Sequence, residues 1–388
     1  MKKNIFNGNI DHESLFIKKF FSIIKKFLGL FVGPVLKKLY SPTTLYKDNN
    51  QDVIIKDILL EGNVYTIAQI KNGFIYTDRS YNISVYIDKK LIPKISWQYE
   101  ILKNGPIILP DNKNKLLTGE IYPKRLPIKY NTSVVSLLTG GGGNYNYYHL
   151  LFDSISRLYL VKDFIKNSEA IKYLVPDNKY PFQKEIFSML GISKENQISS
   201  CRHQHINASK LIATSHPNPY HINKIPNWIL MFLRDKLLPH GSKETYGSFV
   251  YIDRRDSLNG RRLLNNEELF SALKKLGFKS YKLSELSVAS QISLFANAKM
   301  IVGVHGGGFA NLAFASKGTV VYELFSKNYI QEMYKNISKK LSLDYRAIYC
   351  SDFEHEETLQ NASFRISKDD IELIRKHAEQ IVRKYNKF

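Results

Sequence analysis

The stretch MIVGVHGGGFANLAFASKGTVVYELF, residues 300–325, passes from an apolar run through one histidine and three glycines into a short helical pattern and then a second apolar run. Strand, turn, helix and strand in that order argue for a parallel sheet, with the glycines at the carboxyl end of its first strand. Free backbone N–H groups at the start of the helix would suit a phosphate. No Lys-Ser or Lys-Thr follows the glycines, so this is not a Walker loop, and the GxGxxG dinucleotide fingerprint does not fit either.

The same alternation extends outward in both directions. Upstream lie a strand GSFVYID, a helix over 266–276, a strand near Tyr281 and a helix over 287–298. Further upstream, TSVVSLL (132–138) reads as a buried strand, followed by Gly140 to Gly143 and a helical period over 144–163. IKYLVP is then a strand, PFQKEIFSML a helix opened by Pro181, and IPNWILMFLRDKLL another helix. Residues 50–130 show short β-rich runs between Asn, Gly, Pro and Lys clusters. The fold class is therefore α/β with parallel sheets in two halves. A linker is expected at LLPHGSKETYG (237–247) and an amphipathic basic helix at about 367–386.

Composition limits the partners. The 388 residues can bury two cores of ordinary domain size, and a formal charge of +21 points to anionic partners. Residues 15–28, LFIKKFFSIIKKFL, form a basic amphipathic helix suited either to an anionic membrane surface or to packing on protein. No run reaches the roughly 18 apolar residues of a membrane span, and no signal peptide is expected. Two cysteines, Cys201 and Cys350, exclude a disulfide framework and fit a cytoplasmic setting.

Three groups of residues carry candidate chemistry. Asn146, His149, Asp153 and Arg157 follow spacings of three, four and four and share one helical stripe. A histidine with a carboxylate one turn later suits a general base, and a buried structural stripe is the alternative. Arg254, Arg255, Arg261 and Arg262 flank a loop at a strand end, with Asn265 and Glu268 as a helix cap; guanidinium groups there suit a diphosphate. His305 to Gly308 form the third group. HGGG is also found in esterases, but the GxSxG nucleophile elbow is absent. No Asp-x-Asp occurs, and Cys201, His203, His205, His216 and His221 lack the second paired motif of a zinc site.

NYYHLLFDSISRL (146–158), RRLLNNEEL (261–269) and VGVHGGGFANLAFASKGTVVYEL (302–324), in that order, resemble glycosyltransferase family 61 over about residues 130–330. The resemblance implies a GT-B-like fold of two facing Rossmann-like domains, an inverting mechanism, no cofactor and no obligatory metal. With the linker and the amphipathic ends read above, the chain is expected to divide into a basic amphipathic segment (1–48), an acceptor-side domain (49–240), a nucleotide-sugar-binding domain (241–350) and a C-terminal helical segment (351–388). By position the resemblance implies His149 and Asp153 as catalytic residues, either of them the base. Asn146, Tyr147 and Arg157 would lie on the acceptor side. Arg254, Arg262, His305, Gly306, Gly307, Gly308, Asn311 and Glu323 would bind the donor, Glu323 at the ribose. Leu150 and Ser156 stand where Trp and Pro are usual and bear on acceptor preference. The expected partners are a nucleotide sugar and a bacterial surface glycan or lipid-linked saccharide, with an anionic membrane surface as one of the two partners open to residues 15–28, and no nucleic acid. A basic nucleic-acid-binding protein and an inactive membrane-associated scaffold are the alternative readings.

Overall fold

A computed structural model describes residues 31–47, 51–102, 105–165, 170–218, 224–256, 261–352 and 363–385. The amphipathic segment 15–28 lies outside them. The described chain opens with a helix over 31–40 (α1).

The first half builds a mixed sheet. Its strands are β1 (Thr44–Leu45), β2 (Val53–Leu60), β3 (Asn63–Thr77), β4 (Asn82–Ile87), β5 (Lys90–Leu91), β6 (Trp97–Leu102), β7 (Gly105–Ile108), β8 (Ile128–Ser136), β9 (Ile171–Val175), β10 (Gln197–Ser199) and β11 (His205–Thr214). β11, β8, β9 and β10 run parallel to one another in that spatial order. β3 then pairs antiparallel with β11 along nine residue pairs and carries the hairpin strands β2 and β4 on its other edge. The parallel order expected of this half therefore holds for four strands. The β-rich runs before residue 110 add an antiparallel extension, because two- to four-residue turns such as that between β2 and β3 allow hairpins only.

The second half is a sheet in the order β13 (Lys279–Tyr281), β12 (Phe249–Ile252), β14 (Met300–Val304), β15 (Val320–Ser326), β16 (Asp344–Asp352), β17 (Phe364–Arg365). β12 to β16 are parallel, and β17 closes the edge antiparallel. A sheet wound 2-1-3-4-5 reverses direction between its first and third strands, and ligands bind in the crevice there. In this chain that crevice lies between β12 and β14, where the arginine loop and the glycine turn emerge.

The helices are α2 (Lys115–Thr118), α3 (Tyr147–His149), α4 (Arg157–Val161), α5 (Pro181–Met189), α6 (Asn227–Leu237), α7 (Asn266–Lys274), α8 (Val288–Asn297), α9 (Met333–Lys340) and α10 (Lys368–Tyr385). α10 packs Ile371, Ile374 and Ala378 with Leu269 and Leu273 of α7 on the outer face of the second sheet. α3 to α6, α8 and α9, with a 3₁₀ turn over Gly307–Phe314, meet between the two sheets, while α2 packs Leu116 with Tyr76 and Tyr86. One apolar cluster there joins Ile67, Val135 and Leu137 of the first sheet to Val250, Ile301 and Val321 of the second, through Leu151, Ile155, Leu230, Leu233, Leu294 and Leu312.

Polar contacts reinforce that junction. Glu185 of α5 accepts from the Val288 and Ala289 N–H groups at 2.7 and 2.8 Å, so a carboxylate from one half caps the first turn of α8 in the other. Arg234 of α6 donates to the Ala313 and Ala315 carbonyls at 2.8 and 3.1 Å. Two facing halves thus share one core, and a cavity opened in either half is felt by both. Leu294→Ala is expected to destabilise by about 2–5 kcal/mol. The loss should be read by the fluorescence of Trp228, which lies in the first half of the same cluster, as one coincident denaturation transition. An unchanged Trp228 transition would show the halves to be independent.

Candidate active site

The helix after Gly140–Gly143 is not uniform. α3 passes into a π-helical turn, Leu150–Ile155, before α4 begins. A π turn shifts the backbone register and is frequent at functional sites. Here the Ser156 hydroxyl donates to the Phe152 carbonyl at 2.6 Å and so occupies an acceptor that the irregular turn presents. The glycine loop is held from both sides. Gly141 N–H donates to the Ser80 carbonyl at 2.7 Å, and Gln183 Nε2 donates to the carbonyls of Gly143 and Asn144 at 3.2 and 3.0 Å. At Gly142 a Cβ would lie 2.8 Å from the His149 ring, so the absence of a side chain lets the imidazole rest on the loop.

His149 Nδ1 and Asp153 Oδ2 are 2.6 Å apart, with the carboxylate buried and the imidazole partly exposed. An ionised Asp153 accepts a hydrogen bond from His149 Nδ1–H, which leaves Nε2 with its lone pair. Burial alone would raise the Asp153 carboxyl, but His216, the His149 hydrogen bond and Arg157 outweigh it and hold the group below its ordinary value. Arg157 is buried behind the carboxylate. Its Nε donates to the Asp153 carbonyl at 2.9 Å, and Nη1 reaches the Thr214 carbonyl, the Thr214 hydroxyl and the Ser215 carbonyl. Arg157 therefore ties the helix to the end of β11 and is not placed to meet an acceptor. Asn146 caps α3, its Oδ1 accepting from Tyr148 and His149 N–H groups at 2.9 and 3.4 Å. Tyr147 donates to Asn311 Oδ1 of the other half at 2.8 Å.

His216 is a residue whose role the sequence reading missed. Its Nδ1 accepts from Asn218 N–H at 3.1 Å, which puts the proton of the neutral ring on Nε2, 3.1 Å from the Thr139 hydroxyl and 4.0 Å from Asp153 Oδ2. Trp97 stacks on the ring at 4.3 Å. Burial pushes His216 down to about 3. Neither Trp97 nor His216 stands near His149 in sequence, so spacing gave no signal for either.

Across the cleft, Arg254 and Arg261 both donate to the His305 carbonyl, Arg261 at 3.4 Å. Burial, followed by repulsion from Arg261, lowers Arg254 to about 10, still protonated at neutral pH. Arg261 is buried, stacks on Tyr329 at 4.7 Å and has its backbone in the left-handed region at φ 61°. Arg262, the expected partner of Arg254, is exposed, and its carbonyl accepts from Phe364 N–H at 3.0 Å. The left-handed turn at Arg261 exchanges the two side chains. A Cβ on Gly306 would fall 1.6 Å from Arg254 Nη1, so this glycine makes room for the guanidinium. At Gly307 a Cβ would sit in van der Waals contact with Asn146 Oδ1, at 3.7 Å, so the turn lies directly against the start of α3.

Three further expected donor contacts are corrected by burial. Glu323 is fully buried, with Oε1 2.5 Å from His305 Nδ1 and Oε2 accepting from the Tyr345 hydroxyl at 2.7 Å, so the side chain expected at a ribose has no exposed surface. Asn311 is also fully buried, donating to Gln291 Oε1 and the Gly308 carbonyl while accepting from Tyr147. The buried His305 imidazole, lowered chiefly by burial, stacks on Phe325 and braces the turn from behind. Tyr334 completes the brace by donating to the Gly306 carbonyl at 2.9 Å. Asn265 does not form the expected cap; its side chain bonds Glu268 and both backbone groups of Ile366. The Cys201 and histidine set is dispersed, with His203 on Tyr130, His205 on Tyr86 and His221 outside the described residues. No group of three metal-ligating side chains occurs among the described residues.

A helix that presents a histidine–carboxylate pair thus faces a glycine turn backed by two arginines. Residues 147–322 match the family Glycosyltransferase 61. The match takes in all three motifs whose resemblance implied that family, apart from Asn146 at one end and Glu323 and Leu324 at the other. Among curated relatives, a β-1,2-xylosyltransferase of Arabidopsis thaliana is 26% identical over 110 residues, covering 25% of this chain and 21% of the relative. An EGF domain-specific O-linked N-acetylglucosamine transferase of Gallus gallus is 33% identical over 75 residues, covering 18% of this chain and 14% of the relative. The chain thus spans about a fifth or less of the length of these relatives. Among solved structures, the iron-containing dodecameric glycosyltransferase TibC of enterotoxigenic E. coli H10407 is 10% identical over 90% of this chain and 98% of that chain, at a TM-score of 0.30. A superposition that loose assigns neither fold nor chemistry.

The buried pair makes this site acid-sensitive. The unfolded chain protonates His216 near 6.5, whereas the folded chain holds it neutral down to about 3. Its contribution to stability is therefore complete above about pH 6.5 and is lost as pH falls toward 3, and the lowered Asp153 acts in the same direction through the carboxylate range. His216→Asn should flatten the dependence of the urea midpoint on pH between 7 and 4. An unchanged slope would place the acid sensitivity elsewhere.

Proposed function

We propose that the protein is a glycosyltransferase of GT-B-like organisation that moves a sugar, with inversion, from a nucleotide donor to a hydroxyl of a bacterial surface glycan. One observation carries the reading: the helix bearing the His149–Asp153 pair and the turn bearing Arg254, Arg261 and the glycines are held together by the Tyr147–Asn311 hydrogen bond, with Asn146 Oδ1 3.7 Å from where a Cβ on Gly307 would sit. The acceptor oxygen attacks the anomeric carbon from the face opposite the leaving nucleotide. Its proton passes to His149 Nε2, while Asp153 holds Nδ1–H and stabilises the imidazolium.

The departing diphosphate needs positive charge and hydrogen-bond donors. Two guanidinium groups on one carbonyl repel each other, and an anion between them relieves that repulsion. The first N–H groups of the Gly307–Phe314 turn add donors. This set supplies the charge that the reading requires without an obligatory metal ion. Arg261 takes the place expected of Arg262. Glu323 and Asn311 act behind the turn, keeping its shape.

Two measurements test the proposal. Nucleoside diphosphates and nucleotide sugars should raise the melting temperature, with one base preferred and no change on adding chelator. No shift with any of them would reject donor binding, and a shift abolished by chelator would reject metal independence. With the donor identified, His149→Ala should lower kcat by about 10²–10⁴-fold with little change in donor affinity. Near-normal turnover would remove His149 as the base.

A further inference from the structure

The carboxyl ends of β11, β8, β9 and β10 lie side by side, and each releases a loop onto the same edge of the sheet. His216 follows β11, the glycine loop and His149 follow β8, Asp177 to Tyr180 follow β9, and Cys201 to His203 follow β10. Neighbouring strands are about 4.8 Å apart, so the loop after β10 begins about 10 Å from the glycine loop.

Two cavities occupy that interval. One of about 300 Å³ lies among Arg79, Asn144, Tyr145, Asp177, Lys179 and Tyr180. The next, of about 900 Å³, is bounded by Asp177, Lys179, Lys184, Lys194, Arg202 and His203. They share Asp177 and Lys179, so together they form one groove leading away from the glycine loop on which His149 rests.

The lining is cationic and aromatic. Five cationic side chains, Arg79, Lys179, Lys184, Lys194 and Arg202, stand against two carboxylates. Both carboxylates are already engaged. Asp177 is held by Arg79 at 3.0 Å and Lys179 at 3.3 Å, and Asp78 accepts from three backbone N–H groups. Lys184, Lys194 and Arg202 are exposed. Tyr145, 64% exposed, offers a ring face for the apolar side of a sugar, whereas the Tyr180 ring stacks on Phe182 and carries Lys179 Nζ over it at 5.3 Å. Buried Asn144 Oδ1 has no hydrogen-bond partner among the described residues, although Asn144 Nδ2 is anchored on the Arg79 carbonyl at 2.9 Å.

We propose that this groove holds the part of the acceptor behind the reacting hydroxyl, and that the acceptor is an anionic saccharide chain. The inference rests on the transferase reading for its direction. The charge of the groove chooses an acidic chain over a neutral one, and the exposed Tyr145 ring chooses a saccharide over a bare polyanion.

Binding can be measured without turnover, using oligogalacturonate, a neutral malto-oligosaccharide of equal length and inorganic polyphosphate as probes. Oligogalacturonate should bind more tightly than either of the others. The triple variant Lys184→Glu, Lys194→Glu, Arg202→Glu should weaken it about tenfold or more. A control triple, Lys317→Glu, Lys339→Glu, Lys340→Glu, removes the same charge from exposed positions of the other half and should leave it within about twofold. Tyr145→Ala should weaken oligogalacturonate and leave polyphosphate unchanged.

Equal losses in the two triples would reduce the effect to the overall charge of the protein and overturn the proposal, as would equal affinity for the neutral chain. Polyphosphate binding as tightly as oligogalacturonate would overturn the saccharide assignment. The nucleoside diphosphate shift is measured on the same groove variant. Its retention alongside lost oligogalacturonate binding supports the proposal. Selective saccharide binding in a wild-type protein that no nucleotide stabilises would leave the groove standing and overturn the transferase reading.

Discussion

The hydrogen bond from the Tyr147 hydroxyl to Asn311 Oδ1 joins the helix that carries His149 to the turn that carries the glycines. Both partners sit on irregular backbone, a helix about to enter a π turn and a 3₁₀ segment, and neither segment has a full α-helical ladder of its own. Their positions are set from outside. Asn311 is held by Gln291 and the Gly308 carbonyl, so the Tyr147 bond is anchored to α8 as well as to the turn. A buried amide with every group paired has one arrangement, because any other leaves a donor or acceptor unsatisfied at about 1–3 kcal/mol. The registry of the two halves, and with it the contact between Asn146 and Gly307, follows from that constraint.

The site is built by placing charges where water is scarce and then neutralising most of them within the protein. Asp153 faces His149, with His216 close by and Arg157 packed behind it; Glu323 faces His305 and Tyr345. In both places a buried carboxylate holds a histidine Nδ1, yet the two pairs differ in exposure. His149 retains access to the cleft, whereas His305 is enclosed by Phe325, Tyr329 and Tyr334. The same pairing thus leaves a partly exposed imidazole in one location and a wholly enclosed one in the other. Arg254 and Arg261 share the His305 carbonyl, and repulsion from Arg261 adds to burial in lowering Arg254.

The motifs read from the sequence mark the right segments but not always the side chains that face the cleft. Spacing placed His149 and Asp153 together, because a four-residue separation brings two side chains onto one helical face and the π turn does not separate them. The same stripe included Arg157, which the tertiary structure buries against β11. The arginine loop was recognised as a segment, yet a single left-handed residue at Arg261 decides which guanidinium turns inward, and no local pattern announces it. β11 itself was hidden. Its sequence HINASKLIAT is mixed in polarity because it lies in the middle of a sheet whose two faces have different cover, and the histidines near it looked like a possible ligand set.

By itself the sequence determined the alternation of strands and helices, the positions of the glycine turns and the pairing of His149 with Asp153. These are local consequences of hydrophobic period, of the conformational freedom of glycine and of helical spacing. Only the tertiary structure decided that the two halves share one core, that Arg261 rather than Arg262 faces the cleft, that Asn311 and Glu323 are consumed as supports, and that His216 and Trp97 stand at Asp153. Each of those outcomes depends on contacts between residues distant in the chain, where burial and the demand that every enclosed polar group find a partner choose among side chains that local pattern leaves equivalent.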